Sequence, residues 1–214
     1  MSARFGAADA AAWIRRAAEL VAADADRLTR LDAEIGDGDH GLNLNRGFAA
    51  AVEALPDGAA LHETPPGRIL IAAGRAIVSK TGGASGPLYG TALRRAGKAL
   101  GDASDASAEQ LAGALAAALT GIRELGEADV GDKTMVDALT PAVAAFDAAS
   151  GQGAGAAARA AATAAEEGAE STVPLVARKG RASYLGERAA GHLDPGAAST
   201  VLLFRALADV TAED

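Results

Sequence analysis

The chain contains no cysteine, which excludes disulfides and thiolate metal sites and leaves oxygen or imidazole to hold any cation. Only 3% of its 214 residues are aromatic, so a core must be built from Ala, Leu, Val and Ile. No apolar run approaches the roughly 18 residues that span a bilayer. The N-terminal stretch MSARFGAADAAAW lacks the apolar segment of a secretory signal, so a cytoplasmic location without a membrane partner is expected. Positive charge is also in deficit: the net charge of −8 argues against wrapping a nucleic-acid backbone, although a local basic pocket for one small anion is compatible with it.

What is present is helical periodicity. Half of the residues are hydrophobic, and they recur three and four positions apart, as in Trp13, Ala17, Val21, Leu28, Leu31 and Ile35. The same spacing returns along the chain without convincing period-two alternation. It predicts about eight helices over 8–34, 41–55, 67–79, 86–100, 107–125, 133–149, 154–170 and 196–212. Short connections and Ala-rich faces such as LAGALAAAL favour an all-α, up-and-down antiparallel bundle. No linker divides it, and residues 1–214 are expected to form one domain. Gly151, Gly153 and Gly155 do not follow a strand, so a dinucleotide fingerprint is not expected there.

Four irregular segments interrupt the helices. In LDAEIGDGDHGLN, Asp32, Asp37 and Asp39 fall within eight positions among three glycines, next to His40. Carboxylates about 5 Å apart repel by roughly 3 kcal/mol at an effective dielectric near 20. A cation relieves this, and oxygen-only ligands suit Mg²⁺ or Mn²⁺. A solvated turn in which Asp37 or Asp39 caps the next helix is the structural alternative. The spacing and the lack of a terminal Glu exclude an EF-hand. In TGGASGPLYG, Gly82, Gly83, Gly86 and Gly90 surround Ala84 and Ser85 before a predicted helix. Such a loop can turn several amides toward a phosphate, and it can equally serve as a turn that brings two backbones close. The Walker A pattern is absent, since Lys80 precedes the glycines. The third segment is ELGEADVGDKTM. The fourth gathers Arg178, Lys179, Arg181 and Arg188, as either a solvated face or a grip on phosphate. It ends in HLDPG, where Asp194 and Pro195 read as the start of a helix.

Taken together, LDAEIGDGDHGLNLNRGF, GGASGPLYGT, GDKTMVDAL and ARKGRASYLGERAAGHLDPGAAS occur in the order found in one family. From about Trp13 to about Leu207 the chain resembles the nucleotide-binding L subunit of dihydroxyacetone kinase, which is also the C-terminal domain of single-chain dihydroxyacetone kinases. The resemblance implies an eight-helix antiparallel barrel with the nucleotide at one end. It implies that Asp32, Asp37 and Asp39 bind two Mg²⁺ ions bridging the phosphates of ADP or ATP, and that His40, Gly41, Leu42 and Asn43 line the nucleotide. Ala84 and Ser85 would present the Gly-rich loop to its phosphates, and Arg181 would contact phosphate. Gly126, Met135, Asp194, Pro195 and Gly196 would enclose the adenosine. Asp32, Asp37, Asp39 and Arg181 would carry the chemistry.

In this family the ketose is held on a separate K subunit or domain. A free-standing L chain goes with the phosphoenolpyruvate-dependent system, in which a phosphohistidine-bearing M subunit of the phosphotransferase system rephosphorylates resident ADP. The chain's length therefore favours that donor. An ATP-dependent kinase for dihydroxyacetone or a related ketose is the alternative. A metal-dependent phosphohydrolase using the Asp cluster and His40, or a nucleotide-binding regulator, ranks below both.

Overall fold

The computed structural model describes residues 4–212; the first three residues of the MSARFGAADAAAW stretch and the last two of the chain lie outside that range. Among the described residues there are nine α-helices: α1 (Ala7–Ile35), α2 (His40–Glu53), α3 (Gly58–Glu63), α4 (Pro66–Lys80), α5 (Ser85–Leu100), α6 (Ala108–Gly126), α7 (Met135–Ala149), α8 (Ala154–Glu170) and α9 (Pro195–Val210). Eight correspond to the expected helices. The short α3 was not expected, and it has no buried residue, so no apolar periodicity could mark it. A two-residue antiparallel pairing of β1 (Phe5–Gly6) with β2 (Asp105–Ala106) joins the start of the chain to the α5–α6 connection.

The eight longer helices close into a ring. Helix α1 packs on α2, α2 on α4, and each later helix on the next until α9 returns to α1, while α3 rests against α1. The ring is all-α with neighbours in chain order, as the helical periodicity and short turns predict. Small residues set how closely the helices approach. A Cβ added at Gly74 would meet Gly90 O at 2.7 Å, and one added at Gly90 would meet Gly74 O at 2.6 Å, so α4 and α5 touch backbone to backbone. On α8 the buried face consists of small residues, including Ala157, Ala158, Ala161, Ala162 and Ala165. The few aromatics act as ties: Trp13 Nε1 donates to Leu203 O at 2.8 Å, joining α1 to α9. The Tyr89 hydroxyl shares hydrogen bonds with Ser199 at 2.7 Å and Thr200 at 2.9 Å, joining α5 to α9.

Alternation around the ring brings the α1–α2, α4–α5, α6–α7 and α8–α9 connections to one end. These are the four irregular segments singled out in the sequence. The first three are brief reversals. The fourth is longer and contains a 3-10 helix over Arg181–Ala189, broken at Gly186, whose φ is +58°.

Candidate functional site: a cavity at one end of the helical ring

The four connections enclose a cavity of about 360 Å³, within the range of small-molecule sites. Its lining combines apolar and polar groups. Leu88, Ile122, Ala128, Met135 and Val136 form an apolar part, and the acidic loop, the Gly-rich loop, Lys179 and Arg181 form a polar one.

Asp32, Asp37 and Asp39 converge, each offering a carboxylate oxygen, and these oxygens lie within 4.8 Å of one another. Asp32 is buried on the last turn of α1, and its Oδ2 accepts the backbone amides of Asp39 at 2.8 Å and His40 at 3.1 Å. That carboxylate therefore folds the loop back onto α1 and caps α2. A Cβ at Gly36 would fall 2.1 Å from Asp32 Oδ1, so glycine is required for the carboxylate to take this position. Asp37 is half-exposed, and its Oδ2 pairs with Arg181 Nε at 2.8 Å. The donor set is oxygen only, carries three negative charges, and spans little more than the roughly 4 Å between opposite ligands of one Mg²⁺. It fits a hard divalent cation.

The Gly-rich loop lies beside this cluster. Gly83, Ala84 and Ser85 line the cavity where α5 begins, and first-turn amides of a helix have no partner within it. A Cβ at Gly82 would meet Asn43 Oδ1 at 2.9 Å, so Asn43 sits beneath the loop. Asn43 is buried and takes a 3.0 Å hydrogen bond from Arg46.

His40 lines the cavity with its Nε2 2.9 Å from Ser199 Oγ. Burial pushes its pKa below the usual imidazole value against the opposing pull of Asp32 and Asp39, which favours the neutral ring. The chain of hydroxyls continues through Ser199 to Tyr89, whose own pKa burial pushes up to about 12.

At the start of α9, close to His40, Asp194 caps the helix, with Oδ2 accepting Ala197 N at 2.7 Å. Pro195 follows at the first helical position, the start that the sequence indicated. Burial pushes the Asp194 carboxyl up to about 7, opposed by the Ala197 amide and the Lys133 ammonium. Gly196 packs on α7, since a Cβ there would lie 3.4 Å from Met135 N.

Of the residues singled out in the sequence, Asp32, Asp37, Asp39, His40, Ala84, Ser85, Gly126, Met135, Arg181, Asp194, Pro195 and Gly196 all line this one cavity. Gly41, Leu42 and Asn43 are not among its lining residues. Gly41 packs on α1, where a Cβ would lie 1.9 Å from Ala25 O, and Leu42 is 55% exposed. Arg178 and Arg188 also lie outside the lining, whereas Lys179 joins Arg181 within it. Lys133, Thr134 and Asp137 were missed. Thr134 caps α7 through Val136 N at 3.1 Å, while Asp137 accepts Thr134 N at 2.7 Å. The readable signal was the Thr-x-x-Asp capping pattern inside GDKTMVDAL.

The sequence matches the DAK2 domain over residues 34–209. The chain belongs to the DAK2 domain family. Within this family it is 43% identical over 198 residues to the PEP-dependent dihydroxyacetone kinase, ADP-binding subunit DhaL of Escherichia coli (strain K12), covering 92% of this chain and 93% of that one. It is 39% identical to the L-erythrulose 1-kinase of Mycolicibacterium smegmatis, over 85% of this chain but only 32% of that longer protein. The fold is similar to the crystal structure of the dihydroxyacetone kinase from C. freundii in complex with AMP-PNP and Mg²⁺, with a TM-score of 0.68 and 27% identity. That alignment covers 98% of this chain and 35% of the other, so the chain spans about a third of that solved protein.

Proposed function

We propose that the chain is the ADP- and Mg²⁺-binding subunit of a cytoplasmic dihydroxyacetone kinase, a single nucleotide-binding domain over residues 1–214 that acts only with partner subunits. The carrying observation is the cavity itself, whose lining combines three converging carboxylates and a Gly-rich helix start with apolar side chains. Phosphates belong at the polar part and the adenosine at the apolar part, against Met135, Gly126 and the Asp194–Gly196 turn.

Bound Mg²⁺ would supply charge neutralisation at the transferred phosphoryl group. Asp32, Asp37 and Asp39 would hold it, with phosphate oxygens and water completing the ligand shells, and the reading takes two such ions to share the three carboxylates. Asp32 also holds the loop in place through the amides of Asp39 and His40. The amides of Ala84 and Ser85 orient the phosphates. Arg181, 69% exposed, is held by a surface ion pair of small worth, so its planar fork can move from Asp37 to phosphate oxygens. His40, Asn43, Gly41 and Leu42 support the N-terminal turn of α2 beside the phosphates. His40 Nε2 is engaged by Ser199, which leaves a hydrolase without a poised base at the carboxylates.

The ketose would be carried by a K subunit and the phosphoryl group delivered to bound ADP by a phosphohistidine on an M subunit. The 43% identity to a PEP-dependent subunit over 92% of this chain and 93% of that one supports this donor. The second reading is a kinase for a related ketose driven by free ATP; the likeness to the L-erythrulose 1-kinase supports the related ketose. The deciding experiment reconstitutes the chain with K and M subunits and compares ketose phosphate formation from phosphoenolpyruvate plus upstream carriers with formation from free ATP and K alone. Product in the first mixture only is expected; product from ATP alone would transfer the assignment to the second reading.

A further inference from the structure

Lys133 borders the cavity but has no part in the reading above. It is 1% exposed and adopts φ +61°, a left-handed conformation that a side chain rarely takes. A buried ammonium in such a backbone must be held by specific bonds. Its Nζ donates to Thr172 O at 2.6 Å and to His192 O, and the nearby Asp194 and Asp137 favour its charged form against the burial that disfavours it. These carbonyls belong to the two ends of one segment: Thr172 follows α8, and His192 precedes α9. Thr172 extends the tie, because its Oγ1 accepts Asp194 N at 3.0 Å. Lys133 itself stands two residues before Met135, which packs on Gly196.

We propose that Lys133 is a positioning residue for the nucleoside: by gripping the carbonyls of Thr172 and His192 it holds the Asp194–Gly196 turn against Met135 and fixes the width of that end of the cavity. The inference rests on the nucleotide-binding reading above. Lys133 is not a phosphate ligand, because two of its donors are spent on carbonyls and its bonded partners lie in the α8–α9 connection. The carboxylate cluster and the Gly-rich loop come from the α1–α2 and α4–α5 connections and make no hydrogen bond to it. Loss of the ammonium therefore loosens the nucleoside end and leaves the carboxylate cluster and the Gly-rich loop, which hold the phosphates, in place.

The test uses the full chain, labelled ADP with Mg²⁺, and pyrophosphate with Mg²⁺ as a probe that lacks the nucleoside. Lys133→Met keeps the stem and removes the donors. It should release ADP about tenfold faster than wild type while pyrophosphate affinity changes by less than about twofold, the scale of lost hydrogen bonds to a charged donor. Lys133→Gln retains a donor amide and should restore part of the ADP residence; it also serves if Lys133→Met does not fold. ADP release at the wild-type rate in these variants would overturn the proposal. So would a parallel loss of ADP and pyrophosphate, which would make Lys133 a support of the whole fold. Wild-type protein that binds pyrophosphate but not ADP, or neither, would instead overturn the nucleotide reading itself.

Discussion

Asp32 and Asp37 sit in the same acidic cluster but carry different structural duties, and substitution separates them. Asp37→Asn removes a half-exposed charge whose partner is an exposed Arg181, so circular dichroism and melting temperature should stay near wild type while Mg²⁺-dependent ADP retention is lost. Asp39→Asn should behave alike; ADP retained by both variants would sink the metal assignment. Asp32→Asn should lose ADP and also destabilise the fold by about 1–2 kcal/mol, because the amide must replace a buried carboxylate that accepts two backbone N–H groups. Equal melting temperatures for Asp32→Asn and Asp37→Asn would contradict that double role. Arg181→Lys keeps the charge and loses the fork. Slower phosphoryl transfer at a nearly unchanged melting temperature is expected, and wild-type transfer would remove Arg181 from the mechanism.

Asp194 adds a pH dependence. Its native pKa, pushed up to about 7, lies above the ordinary 3.8 of the unfolded chain. Between these values the native state binds the proton more tightly, so this group's contribution to stability is full below pH 4 and is lost as pH rises through 7. The effect is on the order of a few kcal/mol. Asp194→Asn keeps an N-cap acceptor without the titration. Denaturant unfolding across pH 4–8 should show a flatter profile for the variant than for wild type; parallel profiles would refute the shifted carboxyl. The carboxylate cluster was readable in the sequence because repulsion among clustered aspartates demands an explanation. The Lys133–Asp194–Asp137 arrangement was not, since its members are separated by up to 61 positions and only the packing of α9 on α7 brings them together.

At the scale of elements, the spacing of apolar residues marked the eight ring helices, because each buries one face. Helix α3 and the 3-10 turn at Arg181–Ala189 escaped for the converse reason. The first has no buried residue, and the second buries only Ala182 and Ala189. Gly41 shows a different limit. The family resemblance placed it along the nucleotide, and the structure adds that its missing side chain admits Ala25 O of α1. A sequence shows that a glycine is present but not which backbone comes close to it. The contact between α4 and α5 depends on the same property. Gly90→Ala would force a Cβ against Gly74 O at 2.6 Å, so the helices must separate at a cost of about 1–3 kcal/mol. Since α5 begins at Ser85 in the cavity wall, ADP affinity should fall along with the melting temperature. An unchanged melting temperature would show that α4 and α5 can part without cost.

Across the whole molecule, the alternating ring explains why segments far apart in the sequence build one site: four of its connections face the same way, and all four line the cavity. The arrangement also makes nucleotide and metal mutually dependent. The carboxylates, the helix start and the apolar side chains line one cavity, and without a cation the aspartates face one another. If ADP is a resident carrier, its residence must outlast turnover. The protein would be loaded with labelled ADP, mixed with matching K and M subunits, ketose, phosphoenolpyruvate and the upstream carriers, and followed for label release beside ketose phosphate formation. Many turnovers with the label retained are expected; label lost at each turnover would contradict the carrier account and make the nucleotide an ordinary exchanging substrate.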